Sequence, residues 1–78
     1  MNLKVLYFAS LRDAAGRDTE AVEHAAGLSL LYDELAARHG FRLARSRVRV
    51  AVNGEFVEWD HVMGEGDEVA FLPPVSGG

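Results

Sequence analysis

The stretch with the most chemical character is the last one, "LPPVSGG", Leu72 to Gly78. Gly77 and Gly78 add no side-chain bulk and impose no Cβ limit on φ, so a carboxylate that follows them can enter a channel too narrow for other residues. A carboxylate is a poor electrophile. The route open to it is activation, in which ATP-driven adenylation gives an acyl adenylate and a nucleophile then displaces AMP. A sulfur donor would leave a thiocarboxylate on Gly78, while a thiol followed by a lysine would leave a conjugate. Pro73 and Pro74 fix φ and favour polyproline geometry, which aims the departing segment outward and lowers the entropy lost on capture. From Val75 to Gly78 the chain reaches at most roughly 14 Å. Pro73, Pro74, Val75 and Ser76 are therefore the expected contacts with a receiving protein, Gly77 the slender neighbour that gives access, and Gly78 the reacting residue. On these residues alone an inert glycine tail stays open as the alternative.

Other chemistry is thin. The sequence has no cysteine, which removes disulfides, thiolate metal ligands and any persulfide carried on its own side chains, and fits a reducing, cytoplasmic compartment. His24, His39 and His61 fall in different elements without metal-ligand spacing. Ser10, Ser29, Ser46 and Ser76 lack a nucleophile elbow, and "GEGD" at 64–67 lacks the lysine and the strand-to-helix context of a phosphate loop. Carboxylates near the turns, such as Glu55, Glu58 and Asp60, read as surface solvation. No self-sufficient enzyme is expected, and neither a metal nor a bound cofactor.

The elements that must position the tail follow from hydrophobic period. "LKVLYFAS", Leu3 to Ser10, reads as a strand with apolar residues on both faces, "LRDAAGRD" as a loop turning at Gly16, and "TEAVEHA" as a second strand completing a hairpin. From Leu28 to Gly40 the period becomes helical, with Leu28, Leu31, Tyr32, Leu35 and Ala36 on one stripe, Ser29 as N-cap and Gly40 as the C′ residue. "RVRVAVNGEFVEW" alternates at Val48, Val50 and Val52 into an Asn-Gly hairpin, and "DEVAFL" is the last strand. One amphipathic helix covers one sheet face only. The other face is then expected to share Leu6, Phe8, Ala70 and Leu72 as an apolar docking patch, with extra core packing as the alternative.

The 78 residues make one domain, a folded unit over 1–74 with a tail at 75–78, and 49% apolar content argues against disorder. The net charge of −4 argues against a nucleic-acid partner, and no signal peptide or membrane span is expected. Arg42, Arg45, Arg47 and Arg49 crowd one stretch, read as a solvated loop and strand edge with a docking patch as the alternative.

"GDEVAFLPPVSGG" at the end, "VLYFASLRD" near the start, "VAVNGEFV" in the hairpin and "DH" at Asp60–His61 resemble, along the whole chain, the family of molybdopterin synthase small subunits. The resemblance implies an α+β, ubiquitin-like β-grasp fold: a mixed sheet of about five strands, its terminal strands parallel, with one main helix on one face. It implies a sulfur carrier whose terminal glycine, here Gly78, is activated by an ATP-dependent, ubiquitin-activating-enzyme-like adenylyltransferase and becomes a thiocarboxylate. The large synthase subunit, in a heterotetramer of two small and two large chains, would then receive the tail, and sulfur would pass to cyclic pyranopterin monophosphate. Phe8, Phe71 and Leu72 are the expected docking residues. The same fold and double glycine also fit thiamine-pathway or transfer-RNA-thiolation carriers and ubiquitin-like modifiers.

Overall fold

The structure is a computed structural model that describes residues 1–74. Its elements run β1 (Asn2–Tyr7), α1 (Ala9–Ala15), β2 (Thr19–Glu23), α2 (Leu28–His39), a single 3-10 turn (Arg45–Arg47), β3 (Arg49–Val52), β4 (Glu55–Val57) and β5 (Glu68–Leu72). The strands form one mixed sheet in the order β2-β1-β5-β3-β4. β5 sits in the middle, parallel to β1 with Tyr7 beside Phe71, and antiparallel to β3 with Arg49 beside Leu72. The last described strand is thus fixed by two neighbours, which is what a platform for a departing tail needs.

Alternation sorts the sheet residues onto two faces. Leu3, Val5, Tyr7, Val50, Val69 and Phe71 point inward and are buried. The α2 stripe of Leu28, Leu31, Tyr32 and Leu35 packs on them, and Leu11 of α1 joins the same cluster. Both helices cover one face, as one main helix was expected to do. The opposite face carries no helix among the described residues.

Three local expectations are corrected. The first strand ends at Tyr7, and the segment read as a loop is α1, entered through an extended Phe8 and an Ala9 at φ 49 and closed by Gly16 at φ 73. The helix forms because Leu11 fills the core beside β1 and β5. Gly16 donates its N–H to Arg12 O at 2.9 Å, a helix cap in place of a loop turn. Ser29 is not the N-cap of α2: Leu28 is fully buried and already helical, so the extended Gly27 takes that position without a side-chain bond. Gly40 does close α2 in the left-handed region, φ 74, as expected. Phe71 is the third correction. It is 0% exposed, edge-on to Tyr32 at 5.4 Å between centroids and stacked against Trp59 at 6.0 Å, so it belongs to the core and to no docking surface.

The Asn53–Gly54 turn behaves as its sequence predicts, with φ of 51 and 86, the left-handed pair that a two-residue hairpin requires. Asn53 also ties the hairpin to β5: its side-chain oxygen accepts from Glu68 N–H at 2.9 Å and its amide donates to Asp67 Oδ1 at 3.0 Å. The β5 start is thereby held at the end of the sheet opposite to Leu72.

Candidate functional site

The site is the place where the chain leaves β5. Leu72 faces outward at the end of the strand, and Pro73 and Pro74 continue past it over a shallow hollow shared with Ala9, Ser10 and Leu43. Those walls come from the start of α1 and from the segment after α2. Tyr32 Oη donates to Leu43 O at 2.7 Å and Val48 is buried, so that segment is fastened at two points and carries its arginines past the exit. Phe8, 42% exposed, lies next to Ala9 at the rim. Because Phe8 stands outside the strand, its exposure follows from the turn into α1 and not from sheet alternation.

The uncovered sheet face begins at this exit. Register places Leu6 beside Ala70, Ala70 beside Ala51, Ala51 beside Phe56 and Leu72 beside Arg49, all on that face. Phe56 is 56% exposed, and the Arg49 guanidinium carbon stands 3.9 Å from its ring centroid. A guanidinium over an aromatic face is held in place by the ring quadrupole while its edge stays free to bond a partner. Toward the other end the face turns polar, with Lys4 and Glu68 paired at 3.8 Å. An apolar band with one fixed cation, opening directly onto the exit, has the make-up of a protein interface centre.

Of the expected docking residues, Leu72 lies on this face, Phe8 at its rim, and Pro73 and Pro74 at the exit. Phe71 points the other way. Val75, Ser76, Gly77 and Gly78 lie outside the described residues. Arg49 was read only within an arginine cluster whose docking role was the alternative, and Phe56 was missed as a contact, although the signal was present: a two-residue Asn-Gly turn pairs Val52 with Glu55 and Ala51 with Phe56, which sets Phe56 opposite in sense to Val50 and Val52.

The main partly buried polar cluster has a different role. Glu20 Oε1 accepts from Tyr7 Oη at 2.6 Å and bonds His39 Nε2 at 2.8 Å, while Oε2 accepts from Arg38 at 3.1 Å. Burial pushes the Glu20 carboxyl up, but the bonds from Tyr7, His39 and Arg38 outweigh it and hold the group below the ordinary carboxylate value. Burial first, and then the bond to Glu20, push the Tyr7 phenol far above its usual value. Every member is satisfied and the cluster ties β1, β2 and the end of α2 together, which makes it a clamp and not a reaction centre. His24 sits apart, between Glu34 Oε2 and Gly27 O, each at 3.2 Å. Among the described residues no group of three or more His, Asp or Glu side chains is placed to hold a metal ion, and no helix is long and apolar enough to cross a membrane.

A five-stranded mixed sheet gripping one main helix, with its central strand releasing the chain beside an open apolar face, defines the ubiquitin-like β-grasp class. Within that class the chain belongs to the ThiS family, whose model matches residues 5–78. It is similar to the molybdopterin synthase sulfur carrier subunit of Escherichia coli strain K12, 40% identical over 80 residues that cover 97% of this chain and 99% of the relative. Among solved structures, a Pyrococcus furiosus chain assigned as molybdopterin converting factor subunit 1 superposes with a TM-score of 0.82 at 36% identity, covering 96% of this chain and 99% of that one. SAMP1 from Haloferax volcanii superposes with a TM-score of 0.82 at 28% identity, covering the whole of both chains.

Proposed function

We propose that this chain is the sulfur carrier subunit of a molybdopterin synthase. The observation that carries the reading is the joining of two features at one place: the central strand ends at Leu72 with the proline pair leading out of the sheet, and the open apolar face starts there. A partner that grips the face thereby has the tail delivered to it. Similarity over nearly the full length to a sulfur carrier subunit supports the assignment of what the tail carries.

The terminal carboxylate oxygen of Gly78 attacks the α-phosphorus of ATP on an adenylyltransferase of the ubiquitin-activating-enzyme-like class, releasing pyrophosphate. A sulfur nucleophile then displaces AMP and leaves the thiocarboxylate. This chain binds no cofactor, and the ATP belongs to the activating enzyme. In the large synthase subunit the thiocarboxylate sulfur attacks an electrophilic carbon of cyclic pyranopterin monophosphate, the oxygen substituent on that carbon departs, and water cleaves the acyl–sulfur bond so that Gly78 returns as carboxylate. Two such transfers, each from a freshly charged carrier, supply the two sulfurs of the dithiolene. The carrier acts in a heterotetramer, and it dissociates to be recharged.

The test is single-turnover transfer: carrier loaded with labelled sulfur, mixed with the large subunit and the pyranopterin, passes label to the pterin. Deletion of Gly78 leaves the fold intact and abolishes transfer; retained transfer by that variant contradicts the assignment. A second reading has its own support. The similarity to SAMP1, a modifier protein, fits the same exit geometry to conjugation, and lysine conjugates formed in place of pterin product would favour it.

A further inference from the structure

The charges of this acidic chain are unevenly spread along the strands, although Asp18, paired with Arg12 at 3.7 Å, and Glu58, just after β4, also lie toward the exit end. At the end where β1 and β5 begin stand Glu23, Glu55, Glu65, Asp67 and Glu68, placed there by the pairings Asn2 to Glu23, Lys4 to Glu68 and Val52 to Glu55 and by the bonds Asn2 N–H to Glu65 and Asn53 to Asp67. At the exit end stand Arg42, Arg45, Arg47 and Arg49, carried there by the segment whose Leu43 shares a hollow with Pro73 and Pro74. Arg45 is engaged by Asp33 at 3.5 Å, whereas Arg42, Arg47 and Arg49 make no ion pair within 4.0 Å among the described residues and are exposed. A second hollow, apolar in its walls of Leu11, Ala14, Phe41 and Leu43, opens under Arg42 and continues to the first through Ser10 and Leu43.

We infer that this arginine rim is an electrostatic docking collar for an acidic protein surface around the channel of the enzyme that activates the tail. The inference rests on the carrier reading above. Four tail residues reach at most roughly 14 Å, so whatever protein takes up the tail must lie against the rim. A chain with net charge −4 is repelled as a whole by an acidic surface, yet its two ends feel opposite forces, which turns the exit toward that surface before contact. The carrier must be recaptured for every sulfur, so the encounter rate is the quantity such a collar improves.

The experiment is steady-state adenylation of the full chain by the cognate activating enzyme at saturating ATP, with sulfide supplied to displace AMP and allow turnover, read as pyrophosphate release across a salt series. For the unmodified carrier, kcat/KM falls about ten-fold from low to physiological ionic strength. The pair Arg42→Gln and Arg47→Gln, combined, lowers kcat/KM about ten-fold at low salt, flattens the salt dependence and leaves kcat unchanged, while Lys4→Gln at the opposite end does little. Circular dichroism verifies that the double variant is folded. Adenylation with unaltered kcat/KM in the double variant overturns the collar and leaves the carrier reading standing; no adenylation of the unmodified chain overturns both. Binding of a labelled single-stranded RNA that the double variant loses, with kcat/KM unaltered, assigns the rim to nucleic acid and also overturns the proposal.

Discussion

Leu72 and Arg49 face each other across the β5–β3 pair, on the sheet face that no helix covers. The last outward residue of the central strand is thus the neighbour of a guanidinium held over Phe56. A partner that buries Leu72 meets this pair in the same contact. Leu72→Asp and Phe56→Ala are expected to weaken binding of the large subunit about 10-fold or more, the scale of interface centres. Loss of stability should stay under about 1 kcal/mol, because both side chains keep solvent contact. Calorimetric titration and urea unfolding of the same variants separate the two effects; equal losses in both would place these residues in the core.

Phe71 should behave in the opposite way. Truncating a fully buried phenylalanine that touches Tyr32 and Trp59 costs about 3–5 kcal/mol, a large part of what a domain of this size has. Phe71→Ala is expected to be largely unfolded by near-ultraviolet circular dichroism. A well-folded variant with weakened partner binding would show the core assignment to be wrong.

Stability should fall in acid through Glu20. Its carboxyl has a lower pKa folded than its ordinary value of 4.5, so its stabilisation is complete above that value and is lost as pH falls through the folded-state value. The Tyr7 phenol has the reverse sense: raised above 10.0 in the fold, it stabilises fully below that pH and loses the contribution as pH rises beyond it. Urea midpoints measured against pH should show an acid limb that Glu20→Gln flattens and an alkaline limb that Tyr7→Phe flattens. Limbs unchanged by these substitutions would mean that the clamp between β1, β2 and α2 contributes little.

Ala9 carries a backbone cost at the rim of the exit. An alanine at φ 49 loses about 1–2 kcal/mol relative to an ordinary conformation, a penalty that glycine escapes. Ala9→Gly is expected to raise or leave unchanged the unfolding free energy, whereas Ala9→Val lowers it by more than 1 kcal/mol, roughly the β-branched penalty at such an angle. A destabilised glycine variant would indicate that the Ala9 methyl packs usefully in the hollow beside Pro73.

The sequence was most legible where period and turn chemistry agree. The α2 stripe, the Gly40 cap and the Asn53–Gly54 hairpin all appear as read, because each is decided by local backbone preference together with burial. α1 was hidden, since "ASLRDAA" offers one strong core residue, Leu11, and seven residues are too few to display a period. The faces of β5 were half legible: alternation put Ala70 and Leu72 together on the open side, and the same alternation sends Phe71 to the helix side, where its aromatic neighbours wait. Which of two apolar sets meets α2 depends on tertiary packing, so "EVAFL" could not settle it alone. The uneven spread of charge was invisible for a related reason: Arg49 and Glu68 are nineteen positions apart in sequence yet mark opposite ends of adjacent strands.

The central claim is that Gly78 carries sulfur as a thiocarboxylate. The most direct measurement is the intact mass of the full chain after incubation with the activating enzyme, ATP and a sulfur donor. The expected result is replacement of one terminal oxygen by sulfur, reversed when the large subunit and pyranopterin are added. An unchanged mass, or a ladder of lysine conjugates in place of the sulfur adduct, would contradict it.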